Sequence, residues 1–234
     1  MRQIVLDTET TGLAVSQGHR IIEIGCLEMV NRRLTGREYH RFLNPERDID
    51  EGAERVHGIS IEDLAGQPLF VDVADELLEF LQGSELVIHN ADFDVGFLEH
   101  ELRLIQHPQP AITEHASVLD TLALARKLHP GQRNSLDALC KRYFVDASKR
   151  EVHGALIDAE LLARVYLAMT GGQTALSLDE ESTSVASATD TVLQRNRPSG
   201  LELNIVAANE EEMAAHDALL ERMRDSGACR WRDT

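Results

Sequence analysis

A few acids and one histidine, scattered along 234 residues, are of the right types to hold divalent cations if the fold gathers them. The segment "IVLDTETTGL" (4–13) ends an apolar run with Asp7 and Glu9, separated only by Thr8. In an extended strand, residues two apart share a face, so these carboxylates point the same way, roughly 7 Å apart, while Thr8 points away. Two such anions repel, and burial would raise their pKa values. A divalent cation relieves both problems, and hard oxygen ligands suit Mg²⁺ or Mn²⁺. A solvated strand end would relieve them too, and for an isolated D-x-E that is the commoner case.

Two further segments change the balance. "LVIHNADFD" (86–94) sends an apolar strand into a helix with Asp92 and Asp94 at its beginning. Asp92 suits an N-cap or first-turn role. Asp94 precedes Phe97 and Leu98 by three and four residues, which puts it on the core-facing stripe, where an acid needs a partner. In "HGALIDAELL" (153–162), Asp158 precedes Leu161 and Leu162 at the same spacings and also faces inward. Inside one helix His153 would lie about 140° away from Asp158. Gly154 lets His153 sit on the preceding loop and fold back toward that acid. Taken alone, His153 is equally well an exposed loop histidine. Together, a strand-end acid pair and two inward-facing helical acids point to a metal site.

Strands and helices must position these groups. Strands are expected at 2–7, 20–30 and 37–44, with "NRRLTG" (31–36) as a hairpin turn in an antiparallel meander, and another at 85–90. The apolar spacing predicts helices over 71–82, 92–105, 118–129, 135–144 and 154–169, with Gly83, Pro108 and Gly171 among the stops. This pattern predicts an α/β fold, a mixed sheet flanked by helices. Further on, "DEESTSVASATDTVLQRNRPSG" (179–200) is nearly free of large apolar residues and reads as a mobile linker. "LELNIVAA" (201–208) suits a strand, and a helix is expected from Asn209. This tail is too small for a core of its own and is expected to dock on something.

Hydrophobic content of 43% and charged content of 27% describe an ordinary soluble globular protein, and no stretch is apolar enough to span a bilayer. The first residues do not read as a cleavable signal, because the apolar run is short and acids follow at once. Cys26, Cys140 and Cys229 are scattered without metal spacing, which suits free thiols in a reducing cytoplasm. A net charge of −17 argues against tight autonomous binding to nucleic acid, unless cations or a partner stand between acids and phosphates.

"DTETTG", "HNADFD" and "HGALIDAE" resemble, in order and spacing, the three motifs of the DEDD exonuclease superfamily, in its histidine-containing branch, over roughly residues 2–170. The resemblance implies a ribonuclease H-like mixed five-stranded sheet. It also implies that Asp7, Glu9, Asp94 and Asp158 are metal-site acids for two Mg²⁺ or Mn²⁺ ions, with Asp7 bridging both. His153 would be the general base, and the product a nucleoside 5′-monophosphate cut from a 3′ end. Glu9, Thr10, Gly12, Leu13 and His57 would border the terminal nucleotide.

Within the superfamily, "RRLTG", "RVHGIS", "RNSLDALC" and "VYLAMTGGQT" most resemble the proofreading subunits of bacterial DNA polymerase III. That implies an exonuclease domain over 1–172, a flexible linker over 173–200 and a small docking tail over 201–234 that binds the polymerase catalytic (alpha) subunit. "QTALSL" (173–178) is similar to peptides that bind the beta sliding clamp, with Gln173, Leu176 and Leu178 as anchors. A small theta-like accessory subunit is a further partner raised by the resemblance. "DEGAER" (50–55) departs from the pattern near the substrate contacts. Two rival readings are a stand-alone exonuclease acting on RNA ends and a non-catalytic scaffold between clamp and polymerase. The linker and tail argue against the first, the intact acid set against the second.

Overall fold

A computed structural model describes residues 1–148, 152–171 and 209–225. The chain divides into two units, Met1–Leu178 and Asp179–Thr234. The expected linker, the strand at 201–208 and the clamp-like segment with Gln173, Leu176 and Leu178 lie outside the described residues.

The first unit is built on one five-stranded sheet in the order β3-β2-β1-β4-β5. β1 (Arg2–Thr10), β2 (Ile21–Val30) and β3 (Arg33–Phe42) are antiparallel neighbours, whereas β4 (Glu85–Ile88) and β5 (Ser117–Asp120) run parallel to β1. This is the mixed, helix-flanked sheet that the sequence implied. β2 turns into β3 through Asn31 and Arg32, whose φ values of 49° and 65° are what a two-residue hairpin demands. The strand therefore resumes at Arg33, earlier than expected.

Residues 118–120 belong to β5 and not to the helix expected over 118–129. Asp120 ends that strand and its side chain accepts the Leu122 N–H, which starts α5 (Thr121–Leu128). α1 (Glu51–His57) and α2 (Ile61–Leu64) are short and mostly polar, so no apolar period announced them.

Alternation along β1 divides the core in two. Ile4 and Leu6 face one side with Ile24 and Cys26, packed on Leu77 and Leu81 of α3 (Phe70–Leu81) and on Phe97 and Leu98 of α4 (Ala91–Leu104). Val5 faces the other side with Met29 and Val87, against Ala159, Leu162 and Tyr166 of α7 (Ala155–Thr170). α6 (Leu136–Arg142) covers α7 through Leu139 and Cys140. Each large apolar side chain buried this way contributes about 1.5–3 kcal/mol. The end of β1 is thus gripped from opposite faces, by α4 on one and α7 on the other.

In the second unit, α8 (Glu210–Asp225) begins with a reciprocal cap. The Asn209 side chain accepts the Glu212 N–H at 2.8 Å, and the Glu212 carboxylate accepts the Asn209 N–H at 3.0 Å. Among the described residues, no helix is long and apolar enough to cross a membrane.

Candidate active site

β1 carries Asp7 and Glu9 to the sheet edge, and its register with β2 shifts between Glu9 and Thr10. Such irregularities re-aim side chains beside functional sites. Gly25 of β2 stands opposite Asp7, and a Cβ there would fall 2.3 Å from the Leu156 nitrogen. Only glycine lets the first turn of α7 lie this close to the sheet.

That close approach delivers Asp158, 4% exposed, to the strand end. One ligating atom each from Glu9, His153 and Asp158 falls within 4.8 Å of the other two. His153 stands on the loop before Gly154, with its Nδ1 3.1 Å from Asp158 Oδ2. A carboxylate that accepts in this contact takes its hydrogen bond from Nδ1–H. The His153 N–H donates to the Val56 carbonyl at 3.1 Å, tying this loop to α1.

Asp94 arrives from the opposite face, on the first turn of α4, and is 3% exposed. Its Oδ1 accepts the Thr8 N–H at 3.0 Å and the Thr8 hydroxyl at 2.7 Å. Burial pushes its carboxyl up to about 7, a rise that the Thr8 bonds only partly offset. The strand-end geometry thus gathers Glu9, His153 and Asp158, whereas Asp7 and Asp94 are not in that group: Asp7 lies two residues before Glu9 on β1, and Asp94 is bonded to Thr8 from α4. This donor set, hard carboxylate oxygens with an imidazole beside them, fits divalent cations, and a cation would lift the penalty on Asp94.

Two residues that the sequence reading passed over support this arrangement. Thr8, which points away from the acid pair, is the partner of Asp94. Glu23, 4% exposed, lies opposite Glu9 on β2. Its Oε2 accepts the Ala155 N–H at 3.0 Å and its Oε1 lies 2.7 Å from His40 Nε2. Glu23 therefore caps α7 just after His153. A lone acid inside the apolar run "RIIEIGC" was the available hint.

A cavity of about 370 Å³ opens beside the acids, lined by Glu9, Thr10, Gly12, Leu13, His57 and Phe93 among others. It gathers every residue expected to border a nucleotide and adds Phe93. Asp50, Gly52 and Ala53 form part of its wall, so the stretch that departs from the proofreading-subunit pattern shapes this pocket. His57 is buried at the end of α1, where its Nδ1 accepts the Ile59 N–H at 3.0 Å. Its Nε2 is buried without a hydrogen-bond partner, although the Thr10 backbone is close enough to influence the ring. Burial holds His57 below the ordinary histidine range and keeps it neutral. Behind the pocket, a Cβ on Gly12 would fall 2.3 Å from the ring of buried His19, which backs the loop and lies 3.0 Å from the Thr11 hydroxyl.

The exonuclease family RNase_T matches residues 4–166. The DNA polymerase III subunit epsilon of Salmonella typhimurium and that of Escherichia coli are each 50% identical over 236 residues, covering 99% of this chain and 97% of theirs. Among solved structures, exonuclease X in complex with 5′ overhanging duplex DNA matches with a TM-score of 0.56 and 25% identity, over 73% of this chain and 92% of that one. Exonuclease I matches with a TM-score of 0.65 at 14% identity, over 74% of this chain and 41% of that one, a likeness of fold alone.

Proposed function

The chain belongs to the RNase_T exonuclease family, with DNA polymerase III epsilon subunits as full-length relatives, and on that premise we propose that it proofreads for a bacterial replicative polymerase. It removes mispaired 3′-terminal nucleotides as 5′-monophosphates. Asp7, Glu9, Asp94 and Asp158 would hold two divalent cations, Mg²⁺ or Mn²⁺. When bound, such ions polarise the scissile phosphodiester, lower the pKa of water and stabilise a departing oxygen.

His153 accepts the proton of the attacking water at Nε2. Asp158 fixes the tautomer by holding Nδ1–H, so the ring need not turn during the reaction. Thr10, Gly12, Leu13 and His57 receive the terminal base and sugar together with Glu9. The tail over 201–234 docks on the polymerase catalytic (alpha) subunit, Gln173, Leu176 and Leu178 engage the beta sliding clamp, and a theta-like subunit is a third partner. The protein works in the cytoplasm. With a net charge of −17 it depends on these partners for a basic path to DNA.

The observation that carries this reading is the approach of Glu9, His153 and Asp158 within 4.8 Å of one another. It is tested with the full-length protein, Mg²⁺ and a DNA duplex mispaired at one 3′ end. Wild type should release nucleoside 5′-monophosphate, and Asp7→Ala should be slower by at least about 100-fold. Equal rates for the two proteins would reject the site, and faster hydrolysis of a matched RNA would reject the DNA assignment.

A further inference from the structure

The nucleotide pocket has two walls of unequal firmness. One is the end of β1 with the turn after it, and the other is α1, which contributes Gly52, Ala53, Val56 and His57. The first wall is anchored. The Thr11 N–H donates to the Arg20 carbonyl at 2.9 Å, and the Arg20 N–H donates to the Thr11 hydroxyl at 3.0 Å. Arg20 is in turn held by Glu101 of α4. The Thr10 hydroxyl donates to the Gly12 carbonyl at 2.7 Å and stiffens the turn. The second wall has little packing to hold it. Of the seven residues of α1 only His57 is buried, so apolar contact does not fix where this helix lies.

His19 joins the two walls. It is 2% exposed and sits behind Gly12, with three ring atoms within 2.5 Å of the place a Cβ on Gly12 would occupy. The imidazole thus fills the space of a side chain that residue 12 lacks. Its Nδ1 lies 3.0 Å from the Thr11 hydroxyl on the anchored wall, and its Nε2 lies 3.4 Å from Asp50 Oδ2 on the other.

Asp50 is placed to serve this contact. It occupies the N-cap of α1, yet its carboxylate accepts from none of the first N–H groups of that helix and meets His19 instead. Its own N–H donates to the Thr11 carbonyl at 2.9 Å, so main chain and side chain of one residue reach across the same gap. The far end of α1 is tied separately, where the Val56 carbonyl accepts the His153 N–H.

We propose that His19 and Asp50 are a positioning pair that sets the gap between the walls of the nucleotide pocket. Gly12 stands between the His19 ring and the pocket, so the histidine acts on the terminal nucleotide only through Gly12 and the placement of α1. The pair governs how tightly that nucleotide is held and leaves the cleavage chemistry to the acids. The proposal rests on the exonuclease reading for the identity of the ligand.

The test reads binding and turnover separately, in the full-length protein with Mg²⁺. Calorimetry gives the Kd of thymidine 5′-monophosphate, and the p-nitrophenyl ester of that nucleotide gives kcat and KM. Asp50→Ala alters a side chain that is 59% exposed, so the fold should survive it. It should raise Kd and KM about fivefold with kcat within about twofold. Asp50→Asn keeps an acceptor oxygen and should recover most of that loss. At residue 19 a Gln amide reaches the place of Nε2, whereas an Asn amide reaches only that of Nδ1. His19→Gln should therefore keep most of the affinity, and His19→Asn should match Asp50→Ala. Combining His19→Asn with Asp50→Ala should do no more harm than either change alone. Unchanged Kd and KM in Asp50→Ala would overturn the proposal. So would additive losses in the double variant, or a fall in kcat with binding intact. Wild type that binds the nucleotide but hydrolyses no ester would sink the exonuclease reading, and the Kd series would then decide the pair by itself.

Discussion

Helix α4 holds two buried acids about two turns apart, and the fold treats them in opposite ways. Glu101, 1% exposed, accepts both arms of Arg20 at 2.8 and 2.7 Å and the Ile21 N–H at 3.1 Å. The bond to Glu101 raises Arg20 above its ordinary value. Asp94, equally buried, meets the N–H and hydroxyl of Thr8 and stays pushed up to about 7. A buried charge costs several kcal/mol unless an opposite charge answers it. At Glu101 the chain supplies that charge and so fastens α4 to the start of β2. At Asp94 the chain supplies no such charge, and in the proposed reading an ion from solution takes that place. Rigidity and reactivity thus differ in who brings the cation.

The contrast breaks most visibly at Asp94. In Asp94→Asn, exonuclease activity should fall by about 1,000-fold or more. The metal-free variant should nevertheless melt about 2–4 °C higher than wild type at pH 8 by scanning calorimetry. The sign follows from linkage. Native Asp94 binds its proton more tightly than the unfolded chain does, so its contribution is complete below about pH 4 and is lost as pH rises through 7. The gap in melting temperature between variant and wild type should therefore widen over that window in metal-free buffer. A constant gap would mean that the buried carboxylate is already neutralised by the protein.

Removing the other acid should act in reverse. Glu101→Ala strands the Arg20 charge and should lower unfolding free energy by about 3–5 kcal/mol in urea, metal or no metal. A loss that added Mg²⁺ repaired would erase the distinction between the two sites. The smallest effect is expected at Glu23. Glu23→Ala removes the cap on α7, at about 1 kcal/mol of stability, and should lower kcat about tenfold while KM stays within about twofold. Glu23→Gln, which keeps an acceptor oxygen, should recover most of that rate. A raised KM with unchanged kcat would make Glu23 a substrate contact instead.

The sequence was most legible where a single element sets geometry. Alternation in β1 put Asp7 and Glu9 on one face, and helical spacing turned Asp94 and Asp158 inward, as their burial bears out. Gly154 signalled a loop for His153. β5 stayed hidden because "SVLD" is short and runs straight into a helix, so its apolar residues read as the first turn. Thr8 and Glu23 stayed hidden for a deeper reason. Their partners lie on another helix and across a strand register, and neither relation leaves a periodic mark in one chain.

Gly25 carries a consequence for how this enzyme could be altered. With the first turn of α7 resting on its bare backbone, even one methyl group there would act as a shim beneath the helix. Asp158 and His153 would be jacked away from Glu9 with no functional group changed. The tightness of the Glu9, His153 and Asp158 group is therefore set by an atom the strand leaves out, and a defect at that position would pass unnoticed in any inspection confined to the acids.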